Sequence, residues 1–333
     1  MEAVNTKFIN QHKLPLVFEP GGSFTFSDFL SYIRANKEMI EKKLLVFGGI
    51  LFRGFPIEGA DGFNAVIDAL GLGKPISYVG GDTPRDKVKG KVYTSTEAPP
   101  SLMIPLHNEM SFVKYYPRHV YFYCDIPPQA GGETSIADAR SIYKAIDERI
   151  KTRFVQNGLK YISNFYGKSV VLDTINRFTR AHKTWMDAFE THNKAEVELK
   201  CRENEFGYKW TKKDWLQVIY NTPSIIAHPQ TGERVWFNQA HLYDYNPRLL
   251  GFWNWLGTKL LYVQKDTVMH KIYYGDGSTV PRKDLYHVMD VLEKETIRFP
   301  WQKRDLMVLD NVLAMHGRAP YVGKRKILAA MTR

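Results

Sequence analysis

Of the ten histidines in this 333-residue chain, one is followed two positions later by an acid, in His107-Asn108-Glu109. With 35 acidic residues available such a pair arises by chance, so its spacing alone decides nothing. On a strand, however, residues i and i+2 share a face, so an imidazole and a carboxylate placed this way can converge on one ion. A third ligand must come from elsewhere, and the best placed is His316, in Asp310-Asn-Val-Leu-Ala-Met-His316-Gly-Arg318. Two histidines and one carboxylate on one side of a metal form the facial triad of non-haem iron(II) oxygenases, with coordination positions left open. A keto acid would occupy two of these and oxygen a third. The far carboxylate of the keto acid then needs a cation, and Arg325 lies suitably downstream of His316.

The elements that would position these residues can be read from periodicity and punctuation. Ser27 can cap a helix carrying Phe29, Leu30, Ile33 and Ile40 on one side. Leu44 to Phe55 reads as a buried strand, with Gly48-Gly49 marking a bulge or a close backbone approach. A short helix is expected over Phe63 to Leu70. From residue 92 the pattern changes to short strands broken by Pro and Gly, among them His119 to Cys124. Asp138 can cap a helix bearing Ile142, Ile146 and Ile150. Residues 170 to 215 read as helical insertion material anchored by Trp185, Phe189 and Val197. Strands return at Ser224–Ala227 and Arg234–Phe237, joined by the Pro229–Gly232 turn. A helix is predicted over 282–295, and Leu306–Leu309 and Ile327–Met331 close the chain as strands. Many short strands with helices in front and in an insertion predict a sandwich or small barrel.

Bulk properties exclude some classes. Hydrophobic residues at 44% and charged residues at 24% are ordinary globular values, which rules out a disordered chain. No apolar run approaches the roughly 18 residues of a membrane span. Glu2, Asn5, Thr6 and Asn10 are unlike a signal peptide. Cys124 and Cys201 cannot build a disulfide framework, so a reducing cytoplasmic setting is expected. The one unusual figure is a net charge of +11, from 46 basic against 35 acidic residues. Its visible local concentration is Arg85, Lys87, Lys89 and Lys91, which would share one face of an extended segment.

The motifs together resemble the iron(II)/2-oxoglutarate dioxygenases of the taurine dioxygenase superfamily, from about residue 40 to the C-terminus. The resemblance is carried by His107-Asn-Glu109, Gly131-Gly-Glu-Thr134 and Asp310-Asn…His316-Gly-Arg318…Arg325, in that order. Within the superfamily, Ile104-Pro-Leu-His-Asn-Glu109, His228-Pro-Gln-Thr-Gly-Glu233 and Val235-Trp-Phe-Asn-Gln239 are most similar to syringomycin-biosynthesis-like hydroxylases. The resemblance implies an α+β fold with a double-stranded β-helix (jelly-roll) core, flanking helices and a long helical insertion. The chain would form a single domain over residues 1–333, with an insertion or lid around 165–240.

By the same resemblance, His107, Glu109 and His316 would bind Fe(II), and Thr134 and Arg325 would hold the far carboxylate of 2-oxoglutarate. Gap placement leaves Lys326 as the alternative to Arg325, and the planar, bidentate guanidinium favours Arg325. The superfamily's sulfonate-gripping arginine falls on Ala329 or Ala330, which disfavours taurine-like substrates, and Arg333 is a weak substitute. Retention of Glu109 disfavours halogenation. Arg85, Met103, Phe112 and Asn238 are candidate substrate contacts, whereas His228 and His241 read as structural. Arg318 would brace Asp310 or the site rim.

The expected reaction consumes 2-oxoglutarate and O2, hydroxylates an unactivated C–H bond of an amino acid or related small metabolite, and releases succinate and CO2. The substrate would be free or tethered to an acidic carrier protein. Desaturation, cyclisation and epimerisation are alternative outcomes on a natural-product intermediate. A nucleic-acid-directed oxygenase is the rival from a different class, but residues 85–91 contain no aromatic to stack on bases. The iron, Glu109, 2-oxoglutarate and Arg325 charges cancel, so the basic excess must lie outside the cosubstrate site.

Overall fold

Strand alternation divides the largest sheet into two unlike faces. The computed structural model describes residues 4–76, 87–89, 92–94, 99–169, 172–174, 183–211, 214–261 and 268–333. In it, eight strands run in the order Val4–Phe8, Leu16–Pro20, Gly49–Phe52, Leu306–Asp310, His119–Ile126, Lys326–Thr332, Val92–Thr94 and Lys87–Lys89. All neighbours pair antiparallel except Leu16–Pro20 with Gly49–Phe52. Phe18, Phe52, Tyr121, Tyr123, Val308 and Leu328 point outward and pack under the helices Phe26–Ala35, Lys37–Phe47 and Gly59–Leu70. The residues between them, Val17, Leu51, Phe122, Met307, Ile327 and Ala329, point inward with Ile136, Phe299, Trp301 and Ala314. This period of two is the basis of both cores.

A three-stranded sheet lies against the inner face, with Ala314–Arg318 between Ile104–His107 and Ile136–Asp138. Its Leu106, Ala137 and Met315 contribute to a third core, shared with the helices Ala139–Ala145 and Arg282–Glu295 and with the segment between residues 159 and 274.

Within that segment, residues 170–215 carry the short helices Trp185–Phe189 and Lys194–Glu203, with Trp185, Phe189 and Val197 buried as the expected anchors, while the centre of the wider segment is a four-stranded antiparallel sheet that was not expected. The strands are Gly207–Trp210, Leu216–Thr222, Leu159–Phe165 and His270–Tyr274. Leu216, Val218 and Tyr220 recur at the two-residue period of strands and are buried, and Tyr161 is buried opposite Tyr220 on the neighbouring strand.

The first helix is capped by Thr25, not Ser27, because Asp28 returns a hydrogen bond to the Thr25 N–H in a capping box. The helical run then breaks at Asn36 and continues to Phe47. Gly48 ends it in the left-handed conformation, so the strand begins only at Gly49. The Ile225–Ala227 and Arg234–Trp236 strands form the expected hairpin. Lys87–Lys89 is an edge strand, while Arg85 and Lys91 lie outside the described residues.

The inner sheet requires one glycine. A Cβ at Gly317 would sit 2.5 Å from the Ile104 carbonyl oxygen and 3.0 Å from the Pro105 carbonyl carbon. Gly317→Ala should therefore push the Ala314–Arg318 and Ile104–His107 strands apart and cost about 2 kcal/mol or more. Urea unfolding checks this, and an unchanged midpoint would show that the backbones can separate freely.

Candidate metal centre

Three groups from two ends of the sequence meet inside the fold. His107 is the last residue of its strand and His316 stands directly opposite it in the antiparallel register. The two imidazoles have centroids 4.5 Å apart, and the Phe122 ring of the main sheet lies 5.1 Å from His316. Glu109 follows the strand in a turn. Met110 next to it has φ 53°, a left-handed conformation that bends the chain. The carboxylate is 3.5 Å from His316 Nε2, and one donor atom from each of the three residues lies within 4.8 Å of the others. The i, i+2 expectation gave the right convergence through a different geometry, a strand end followed by a turn.

Hydrogen bonds fix how these groups face. His107 Nδ1 lies 2.9 Å from the Pro105 carbonyl oxygen. A carbonyl only accepts, so Nδ1 carries the proton and Nε2 keeps its lone pair. Asn311 holds the turn. Its Oδ1 accepts from Glu109 N–H at 2.7 Å, and its Nδ2 donates to the carbonyls of Glu109 and Pro117 at 2.9 and 2.8 Å. Asn108 reciprocates by donating to the Asn311 carbonyl at 2.6 Å.

Asp310, beside Asn311, accepts from the N–H groups of Val312 and Leu313 and from His228 Nε2 at 3.0 Å. Burial pushes the Asp310 carboxyl up, but the His228 imidazole and the Leu313 N–H outweigh it and hold the group below the usual carboxylate range. His228 Nδ1 accepts from two backbone N–H groups of the following turn, so this imidazole is structural as expected. His241 donates from Nε2 to the Leu106 carbonyl at 2.9 Å and is completely buried.

A second cluster lies at the start of the last strand. Arg325 is half-buried against Gly132, whose carbonyl accepts from its Nε at 2.9 Å. Burial pulls the guanidinium down to about 10, and the neighbouring Arg318 cation adds to this. Both guanidiniums lie over the Tyr321 ring, at 5.6 and 5.2 Å. Arg318 donates to the Pro99 and Leu102 carbonyls, so it braces the loop leading to the first ligand strand rather than Asp310. Thr134 is buried, and its hydroxyl accepts from Trp301 Nε1 at 3.2 Å. Lys326 behaves differently from Arg325. A register shift separates it from Ile327, and it reaches outward to pair with Asp125 at 2.8 Å.

The four candidate substrate contacts are dispersed. Arg85 lies outside the described residues. Met103 is 47% exposed, on a cavity shared with Ile104 and Leu106, side chains that alternate with His107. Phe112 is buried among Tyr161, Tyr220 and Tyr243 in the core of the inserted sheet. Asn238 is fully buried and spends its amide on the Ser224 carbonyl and the Ala240 N–H. Arg333 stacks on Tyr115 at the far end of the strand from Arg325.

The site depends on residues whose importance has no sequence signature. Asn311 reads as ordinary turn punctuation, and Trp301 as a core aromatic. Only the Asp310-Asn311 pair at a strand end, where Asx side chains favour local caps, hints at a brace.

Comparison with known proteins places this geometry. The model of the taurine catabolism dioxygenase TauD, TfdA family matches residues 10–332. The chain belongs to that family. It is an iron- and 2-oxoglutarate-dependent dioxygenase. The dapdiamide synthesis protein DdaC of Enterobacter agglomerans is 31% identical over 307 residues, covering 92% of this chain and 87% of that one. A clavaminate synthase-like protein of Arabidopsis thaliana is 29% identical over 307 residues, covering 91% and 87%. The fold is shared with PvcB of Pseudomonas aeruginosa, at a TM-score of 0.56 and 13% identity over 100% of this chain and 91% of that one. A taurine dioxygenase from Burkholderia xenovorans gives 0.54 and 14%, over 98% and 88%.

Two stability predictions follow from the bracing network. Asn311→Ala leaves the Glu109 N–H and two buried carbonyls without partners, and should cost about 3 kcal/mol or more in denaturant unfolding. Burial pulls the His241 imidazole down to about 4. The unfolded chain takes up that proton near pH 6.5 and the folded chain does not, so stability falls as pH drops from about 6.5 towards 4. The loss should be on the order of 3 kcal/mol and shallower in His241→Gln. Urea midpoints at pH 7 and 4.5 test it, and identical pH slopes in both proteins would contradict it.

Proposed function

We propose that this enzyme hydroxylates an amino acid or related small metabolite, with His107, Glu109 and His316 holding Fe(II) and Thr134 and Arg325 holding the far carboxylate of 2-oxoglutarate. The observation that carries the reading is the cluster of two imidazoles and one carboxylate, with Glu109 and His316 buried, His107 half-buried and donor atoms mutually within 4.8 Å. That donor set fits iron(II): imidazole and carboxylate suit the metal, and facial placement leaves room for a chelating cosubstrate and oxygen. When bound, the metal and 2-oxoglutarate supply the oxidising chemistry, in which O2 and the keto acid are consumed, succinate and CO2 leave, and one oxygen atom enters a substrate C–H bond.

The chain's own residues position and shield. The Pro105 carbonyl holds His107 in the tautomer whose Nε2 can ligate. Gly132 fixes the plane of the Arg325 guanidinium, which can then face a carboxylate in fork geometry. An arginine already weakened by burial and by Arg318 gains most from an anion beside it. The Thr134 hydroxyl accepts from Trp301 and so keeps its own proton to donate to a carboxylate oxygen. Phe122 and Ala329 stand opposite each other on the inner face, next to His316. Ala329 offers only a methyl there, which argues against a substrate sulfonate.

The reading of the substrate as a biosynthetic metabolite is supported by the relatives. One is named for dapdiamide synthesis, and PvcB is described as an Fe, alpha-ketoglutarate dependent oxygenase from an isonitrile synthetic pathway. The two facing sheets would then be a double-stranded β-helix core, and the syringomycin-biosynthesis-like hydroxylases a related branch. An acidic carrier protein that delivers the substrate would use the basic excess. Two buried, unbridged cysteines are in keeping with the cytoplasm.

Anaerobic protein given Fe(II) and 2-oxoglutarate should develop a weak visible charge-transfer band. His107→Ala should lose iron and the band while still folding. Arg325→Ala and Thr134→Ala should retain iron and bind 2-oxoglutarate at least about tenfold more weakly, the loss of one or two charge-assisted hydrogen bonds. Succinate release screened over free amino acids and carrier-bound aminoacyl thioesters identifies the substrate. Iron retained in His107→Ala would show that the ligand set is wrong.

A further inference from the structure

The segment that carries the first two ligands, Pro105 to Glu109, is held from within and by two other parts of the chain. His107 uses the Pro105 carbonyl, Asn311 takes both backbone groups of Glu109, and the Leu106 and Asn108 carbonyls are taken by residues of one turn. Gln239 Nε2 donates to the Asn108 carbonyl at 2.6 Å, and His241 Nε2 donates to the Leu106 carbonyl at 2.9 Å. These two carbonyls flank His107 on either side. Both donors sit at a short 3-10 turn, Ala240–Leu242, and both are buried, at 6% and 0% exposure.

The turn is itself anchored to the inserted sheet. Gln239 N–H donates to the Tyr161 hydroxyl at 2.9 Å, and Tyr161 is on the Leu159–Phe165 strand. On the outer side of the ligand strand lies a cavity of about 140 Å³, lined by Ile104, Pro105 and Leu106 with His241 in its wall. Packing alone cannot set the position of a strand that borders a void, because one side of it lacks contact partners. The two hydrogen bonds supply that constraint.

We propose that Gln239 and His241 are positioning residues of the metal centre: the inserted segment fixes the distance of His107 and Glu109 from His316, and the centre is incomplete without it. The proposal rests on the reading of His107, Glu109 and His316 as metal ligands. An imidazole donor at position 241 can be mimicked by a glutamine Nε2, whereas leucine keeps bulk and removes the donor. Methionine in place of Gln239 likewise keeps length and removes the donor, and it leaves the backbone bond to Tyr161 in place.

The test is Co(II) binding to the full-length apoprotein by equilibrium dialysis, with the visible ligand-field spectrum recorded at saturation and thermal unfolding of each apoprotein as a check on folding. His241→Leu and Gln239→Met should weaken Co(II) binding about tenfold or more and shift the spectrum, the size of effect seen when groups that orient metal ligands are removed. His241→Gln should bind within about threefold of the parent and keep its spectrum, since the donor is restored. If His241→Leu does not fold, Gln239→Met decides. Parent-like affinity and spectrum in the folded donor-less variants would overturn the proposal, and so would a His241→Gln as defective as His241→Leu, which would mean that shape and not the hydrogen bond matters. A parent protein that binds no Co(II) would instead overturn the ligand assignment on which the proposal rests.

Discussion

Asn311 holds together two stretches of chain 202 residues apart, and the rest of the site depends on that contact. Its amide is both acceptor and donor to Glu109, so the turn after the first ligand strand cannot move without breaking two buried hydrogen bonds at once. Asn108 returns a bond to the Asn311 backbone, which makes the clamp reciprocal. The clamp sets the register in which His316 falls opposite His107. A slip of one residue would turn His316 to the other face, towards the core shared with the insertion, and no ligand set would remain.

Around this contact the structure places charge where burial makes it responsive. Asp310 stays ionised in the interior because His228 and two backbone N–H groups meet it, and its role is to shape the loop that presents Asn311. At the start of the last strand, Arg318 and Arg325 share the Tyr321 ring, and burial leaves solvent less able to screen one cation from the other. Such a pair is less costly with an anion near it than without one. The net +11 of the chain is a separate matter, because two guanidiniums, one buried and one half-buried, supply only a small part of it.

The sequence revealed the chemistry more readily than the architecture. His107, Glu109 and His316 could be picked out only together, from residue types that suit one ion and from the order of the motifs, since the His-x-Glu spacing alone arises by chance, and the structure brings the three side chains together. The choice between Arg325 and Lys326 could not be made by alternation, since a bulge interrupts the strand at that point and the deciding facts are burial and the Asp125 partner. In the 159–274 segment the Ile225–Ala227 and Arg234–Trp236 hairpin was legible from its turn, whereas the strands of the four-stranded sheet, where charged and aromatic residues interrupt the pattern, were not. Asn238 and Phe112 looked like pocket residues because they lie beside motif residues. Tertiary hydrogen bonds and an aromatic cluster that cannot be read locally claim both.

Histidine 241 shows the same point from the opposite side. Read alone, it is a buried imidazole with a structural partner at Nε2 and none at Nδ1. The partner, however, is the carbonyl next to His107, and the other anchor of the same turn is the carbonyl next to Glu109. A residue that fills a structural role in one element therefore sets the geometry of another. An inserted segment with its own sheet need not be a lid over the site; here its hydrogen bonds make it part of the scaffold that the ligands stand on.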